Sequence, residues 1–163
     1  MDFNKGLNII CGPINSGKTS TMVNLVNLES ETKNVLFVSL EAGFNILIDR
    51  YKISGKDSIT IIDHPTSINT LDEELTNNKY DIIYIDYIML LQTEVDTYEE
   101  KIKALVELSK KHETPIVASD LLGINDSLDK YKTELFKDVE TVQTLEKILK
   151  EVKTSFSFVN KSK

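Results

Sequence analysis

Several short runs along the chain are continuously apolar and rich in Ile and Val: Leu7 to Cys11, Val35 to Leu40, Ser58 to Ile62, Ile82 to Ile85 and Pro115 to Ala118. Unbroken apolarity marks strands buried on both faces, as in a parallel sheet covered by helices. Between these runs the apolar positions recur at three and four residues. Met22, Val23, Leu25 and Val26 do so within Lys18 to Leu28, and Ile102, Leu105, Val106 and Leu108 within Tyr98 to Lys111. That spacing predicts helices, with shorter ones over Asn45 to Tyr51 and Ile68 to Asn78, the latter preceded or opened by the cap candidates Ser67, Asn69 and Thr70. Strand and helix alternate, so the expected class is α/β: three layers around a mainly parallel central sheet. After the fifth strand, Val139, Val142, Leu145, Ile148, Leu149 and Val152 recur at three or four residues. They predict a helix from about Glu134 to Val152, with a hairpin as the alternative. The final FSFV, Phe156 to Val159, alternates and reads as a half-exposed strand.

Composition narrows the class without changing it. The 163 residues suffice for one domain with a substantial core, and no Pro/Gly/Ser-rich linker divides them. The apolar runs are far too short to cross a bilayer, and Met1 to Lys5 opens no secretory signal, so a cytoplasmic protein without membrane contact is expected. Cys11 is the only cysteine and His64 and His112 lie far apart in sequence, which leaves no zinc spacing. A net charge of −7 argues against nucleic-acid binding through overall electrostatics. Arg50 is the only arginine, so any task that needs a planar guanidinium falls on Arg50 or on another protein.

The chemistry starts at GPINSGKTS: Gly12, Pro13, Ile14, Asn15, Ser16, Gly17, Lys18, Thr19 and Ser20. Gly12, Gly17, Lys18 and Thr19 fit GxxxxGK[ST]. The glycines let backbone N–H groups turn toward a phosphate chain, and the helix that follows offers its positive end. Lys18 reaches the terminal phosphates and the Thr19 hydroxyl ligates Mg²⁺. At average residue frequencies, a chance match in a chain of 163 residues is on the order of 1%. The match also sits between a predicted strand and a predicted helix, where the mechanism requires it. A metal-bound nucleotide calls for a carboxylate at the C-terminal end of a neighbouring buried strand, and Asp86 ends DIIYID. Hydrolysis calls for a group that orients water, and Glu41 ends VLFVSLE at the same sheet edge. Asp81, at the other end of its strand, reads as structural.

Taken in order, GPINSGKT, VLFVSLE and IIYIDY resemble the RecA-type motor domain of the DnaB family of replicative DNA helicases. The resemblance takes in Arg50, nine residues after Glu41, then IIDHPTSINTLDEEL, IDYIML and KALVELSKKHETPIVAS, roughly the first three quarters of the chain. It implies a P-loop at Gly12 to Thr19 binding ATP and Mg²⁺, a catalytic Glu41 and a Walker B aspartate at Asp86. It also implies a sheet whose fifth strand lies between the first and fourth, assembly into a ring, and movement on single-stranded DNA. The chain departs from the family at three places. Asp120 stands where the family has a sensor glutamine, and an acidic group there repels a terminal phosphate. The family's N-terminal domain and linker helix are not represented. In place of a KxR pair with its arginine finger, the chain has Lys161, Ser162 and Lys163.

Two functions fit these residues. One is a DnaB-like helicase core of phage or mobile-element type, hydrolysing ATP with Lys18, Thr19, Asp86 and Glu41 as part of DNA replication. It would form a homo-oligomeric ring. The other is a helicase-derived regulator or loader that binds nucleotide, with Arg50 and Asp120 at the pocket, and docks on a host or phage helicase. A RecA-like recombination accessory is a variant of the same core.

Overall fold

The computed structural model describes residues 3, 5–121, 137–144 and 147. Its strands are β1 (Leu7–Gly12), β2 (Val35–Ser39), β3 (Ile59–Ile62), β4 (Ile82–Asp86), β5 (Ile116–Leu121) and β6 (Val139–Thr144). The helices are α1 (Lys18–Glu29), α2 (Phe44–Asp49), α3 (Ile68–Asn77) and α4 (Tyr98–His112), with a short 3-10 turn at Ile88–Leu90. Every strand pair is parallel, in the order β3-β2-β4-β5-β1-β6. β5 therefore separates β1 from β4, the arrangement the resemblance implies. Because all strands run the same way, the C-terminal ends of β1, β2, β4 and β5 meet at one edge.

The unbroken apolar runs follow from this position. β1, β2 and β4 are buried at every residue, and each strand sends alternate side chains into two cores. Leu7, Ile9, Leu36, Ile83, Ile85, Ile116 and Ala118 face α3 and α4, while Ile10, Val35, Phe37, Ile82, Tyr84 and Val117 face α1 and α2. Fully burying one such side chain contributes roughly 1.5–3 kcal/mol, so the central strands are the rigid frame on which the loops sit.

Helix ends behave as their residues dictate. The Ser67 hydroxyl accepts from the Thr70 N–H and caps α3, and Thr97 accepts from Glu100 N–H and caps α4. Glu99 and Glu100 open α4 and Lys110, Lys111 and His112 close it, which suits the helix dipole. Asp81 Oδ2 accepts from the Asn34 N–H, a structural role at the edge remote from the loop.

The last described element overturns one expectation. The predicted helix from Glu134 to Val152 is, over Val139–Thr144, a strand parallel to β1. The reason is a bulge: Leu7 pairs with Val139 but Asn8 with Thr141, so Glu140 is an extra residue. Val139 and Val142 then pack against the same core although three residues separate them. A bulged strand thus imitates helical spacing, while its Val and Thr residues carry the strand preference. Apart from residues 137–144 and 147, that predicted helix lies outside the described residues. So do the predicted strand Phe156 to Val159 and the lysines at 161 and 163.

Candidate nucleotide site

The loop between β1 and α1 is built for close approach to its own backbone. Gly17, the N-cap of α1, has φ +94°, a left-handed conformation that a side chain disfavours even though open space surrounds it. Asn15 is also left-handed, at φ +59°. These two turns aim the loop across the start of α1, whose first N–H groups have no intrahelical partner. Lys18 Nζ folds back and donates to the Gly12 and Pro13 carbonyls at 2.9 and 2.7 Å. Burial pulls its pKa below the ordinary lysine value, while the Asp86, Glu41 and Asp120 carboxylates pull it up. The ammonium therefore lies within the field of all three acids.

A cleft of about 780 Å³ opens over this loop, within the range usual for ligand pockets. Ile14 to Ser20 form one wall, and Glu41, Ala42, Ile46, Arg50, Tyr51, Tyr87 and Leu121 complete it. The structure thus brings Glu41 and Arg50 to the loop, both exposed. Gly12, Pro13, Asp86 and Asp120 are not part of the lining.

Asp86 lies beneath the site, 1% exposed. The Ser119 hydroxyl, from the neighbouring β5, donates to its Oδ1, whereas Oδ2 is buried with no hydrogen-bond partner. A buried carboxylate oxygen left in this state is costly unless a cation compensates it. The donor chemistry suits Mg²⁺, which takes one or two protein oxygens and keeps several waters. Thr19 and Asp86 are the residues that would hold it. Ser16 Oγ, on the loop, is likewise buried and unpartnered. Among the described residues no group of three or more His, Cys, Asp or Glu side chains is set to hold a metal ion.

Asp120 is placed differently from Asp86. By strand alternation it shares the α3–α4 face with Ile116 and Ala118, while Asp86 shares the α1–α2 face with Ile82 and Tyr84. Asp120 is 2% exposed and accepts from the Tyr98 hydroxyl at 2.7 Å and from the Leu121 N–H at 2.8 Å. Burial and the Asp120 charge push the Tyr98 pKa far up, which keeps Tyr98 a donor. The acid at the sensor position is thus held inside the fold.

Sequence reasoning did not find Ser119, Tyr98, Ile46 or Tyr51. Ser119 and Tyr98 gain their meaning only from the sheet order and the seating of α4, which no local pattern encodes. Tyr51 adjoins Arg50, and an aromatic beside the sole arginine was the available signal.

Residues 8–122 match the family model described as 50S ribosome-binding GTPase. Three solved structures share the fold. One, solved as an isolated ATPase domain, is similar with TM-score 0.62 and 15% identity, over 86% of this chain and 69% of that one. A DnaB-like replicative helicase, described with its interactions with primase, is similar with TM-score 0.60 and 15% identity over 83% of this chain; the match spans 44% of the helicase chain. The flagellar accessory protein FlaH from Methanocaldococcus jannaschii gives TM-score 0.58 and 14% identity, over 85% of this chain and 70% of that one. No curated protein matches the chain. At this level of identity the likeness shows a fold, and that fold is the RecA-like P-loop NTPase.

Proposed function

The chain belongs to the family described as 50S ribosome-binding GTPase, a P-loop NTPase family, and from that premise we propose that it binds ATP with Mg²⁺ and hydrolyses it as a DnaB-like helicase core of phage or mobile-element type working in DNA replication. The observation that carries this reading is Asp86: a buried carboxylate at the C-terminal end of β4 with one oxygen lacking a partner, in the field of the P-loop lysine. Such a group is costly to an empty protein and useful to one that holds a cation.

The roles follow from the chemistry of each side chain. The Gly12–Ser20 backbone and the start of α1 bind the phosphates, and Lys18 exchanges its two carbonyl partners for phosphate oxygens. Thr19 and Asp86 hold Mg²⁺, which supplies charge neutralisation between phosphate oxygens when bound. Glu41, exposed on the cleft wall, orients the attacking water. With Arg50 as the only arginine, charge stabilisation from a second guanidinium must come from another copy or another protein, which supports a ring or a helicase partner.

ATP as the nucleotide rests on the resemblance and on the likeness to an ATPase domain, whereas the family's description names GTP. Steady-state phosphate release from ATP and from GTP, with and without single-stranded DNA, tests the reading. It predicts Mg²⁺-dependent ATP turnover, raised by DNA and lost in Glu41→Ala. Turnover that Glu41→Ala leaves unchanged removes Glu41 from the mechanism, and preference for GTP overturns the nucleotide assignment. One observation favours a second reading: Asp120, at the sensor position, is engaged by Tyr98. A regulator or loader that binds ATP without turnover would show this, and DNA-stimulated turnover excludes it.

A further inference from the structure

We propose that Arg50 and Tyr51 form the nucleobase wall of the cleft, with the Arg50 guanidinium as the surface on which the base stacks and Tyr51 as the plate behind it. This rests on the nucleotide reading above and adds to it the part of the ligand that the P-loop does not touch. Arg50 Cζ lies 5.4 Å from the centre of the Tyr51 ring, within cation–π range, and both side chains line the same cleft as Lys18 and Thr19. Tyr51 is half-buried and packs against the core beneath α1, so it is anchored, while Arg50 is exposed. Among the described residues Arg50 makes no ion pair with a carboxylate, which leaves its planar face open to the cleft.

The backbone holds this pair still. The Arg50 and Tyr51 N–H groups both donate to the Ile46 carbonyl, at 3.0 and 3.3 Å. The next residues are tied to α1: Asn27 Nδ2 donates to the Lys52 carbonyl, and the Ser54 N–H donates to Asn27 Oδ1. α1 is the helix that begins at the phosphate loop, so the two walls of the cleft belong to one rigid unit. Beside the pair, Ile46 and Ile14 line the cleft at 49% and 70% exposure. A flat aromatic ligand covers such groups, and a phosphate does not. Guanidinium planes stack on bases whatever the base, because recognition uses the ring face and not its edge.

The test compares two ligands that share phosphates and differ in the base: ATP and inorganic tripolyphosphate, each with Mg²⁺, titrated calorimetrically. Arg50→Lys keeps the charge and removes the plane. It is expected to weaken ATP by about tenfold, the size of one base stack, and to leave tripolyphosphate affinity within about twofold. Tyr51→Leu is expected to act in the same direction. Arg50 is at the surface, so its variant folds even if the Tyr51 variant does not. The proposal is overturned if Arg50→Lys leaves ATP affinity unchanged, or if it weakens both ligands equally, which puts Arg50 on the phosphates. Wild-type protein that binds tripolyphosphate as tightly as ATP also overturns it while keeping the phosphate loop. Wild-type protein that binds neither overturns the nucleotide reading itself.

Discussion

Ser119 Oγ donates to Asp86 Oδ1 across the β5–β4 boundary and leaves Oδ2 buried and unpartnered. One oxygen is thereby oriented and the other reserved, which is how a metal ligand is set by a neighbour that does not touch the metal. Ser119→Ala is predicted to destabilise the fold by about 1–3 kcal/mol, because it leaves both carboxylate oxygens without protein partners. It is also predicted to raise the Mg²⁺ concentration needed for nucleotide binding by about 10–100-fold. Asp86→Asn should abolish that Mg²⁺ dependence yet unfold at a higher temperature than wild type in metal-free buffer, since the buried charge is gone. Thermal melts with and without Mg²⁺ separate the two; a lower melting point for Asp86→Asn would show that its charge is already compensated.

Nucleotide affinity should fall early on the alkaline side. Burial lowers the Lys18 pKa below its ordinary value of 10.5, and a bound triphosphate raises it. Binding therefore takes up a proton in the interval between the two values, and affinity drops as pH rises through the free-protein value. Titrations across that range should show wild type weakening before an ordinary lysine would titrate, and Lys18→Arg, which stays charged, should flatten the profile. A wild-type profile that stays flat until 10.5 would contradict it.

The Tyr98–Asp120 hydrogen bond should behave as a buried, charge-assisted pair. Tyr98→Phe leaves Asp120 with one donor fewer in the core and is predicted to cost about 1–3 kcal/mol. Asp120→Asn needs that donor less, so the double variant should be more stable than the sum of the two single losses. Strict additivity in urea denaturation would show that the bond contributes nothing of its own.

On the far side of the sheet, Asp72 of α3 receives Lys111 Nζ at 2.6 Å and interacts with His112 Nε2 at 2.7 Å, fastening α3 to the end of α4. These two contacts hold the Asp72 carboxyl below its ordinary pKa. A depressed carboxylate contributes stability that is full above the unfolded-state pKa and is lost as pH falls through the folded-state value. Its side chain is 33% exposed, so solvent screening limits the contribution to about 1 kcal/mol. Asp72→Asn should lower the melting temperature at neutral pH and converge with wild type in acid; a constant gap across pH would refute the assignment.

Much of the frame was legible because it depends on periodicity. Doubly buried strands such as Ile82–Asp86 cannot alternate, and the sequence of strand, glycine loop and helix at Cys11 to Thr19 can form in few ways. Asp86 and Glu41 end apolar runs, so in a parallel sheet they had to arrive at the loop's edge. Illegible were the features set by partners distant in sequence. Ser119 reads as an ordinary strand residue until β5 is seated beside β4. Asp120 reads as an acid facing phosphate until α4 brings Tyr98 to the opposite face. Val139 and Val142 read as a helix because one bulged residue, Glu140, changes the local period from two to three.

The central claim is that Gly12 to Ser20 is a working phosphate loop with Lys18 as its charge. Equilibrium binding of ATP in Mg²⁺ to wild-type protein and to Lys18→Ala measures it directly. The account predicts saturable, Mg²⁺-dependent binding by wild type, weakened at least about 100-fold in Lys18→Ala, the scale of losing a buried charge-assisted contact to phosphate. Equal binding by the two proteins, or no binding by wild type, would contradict it.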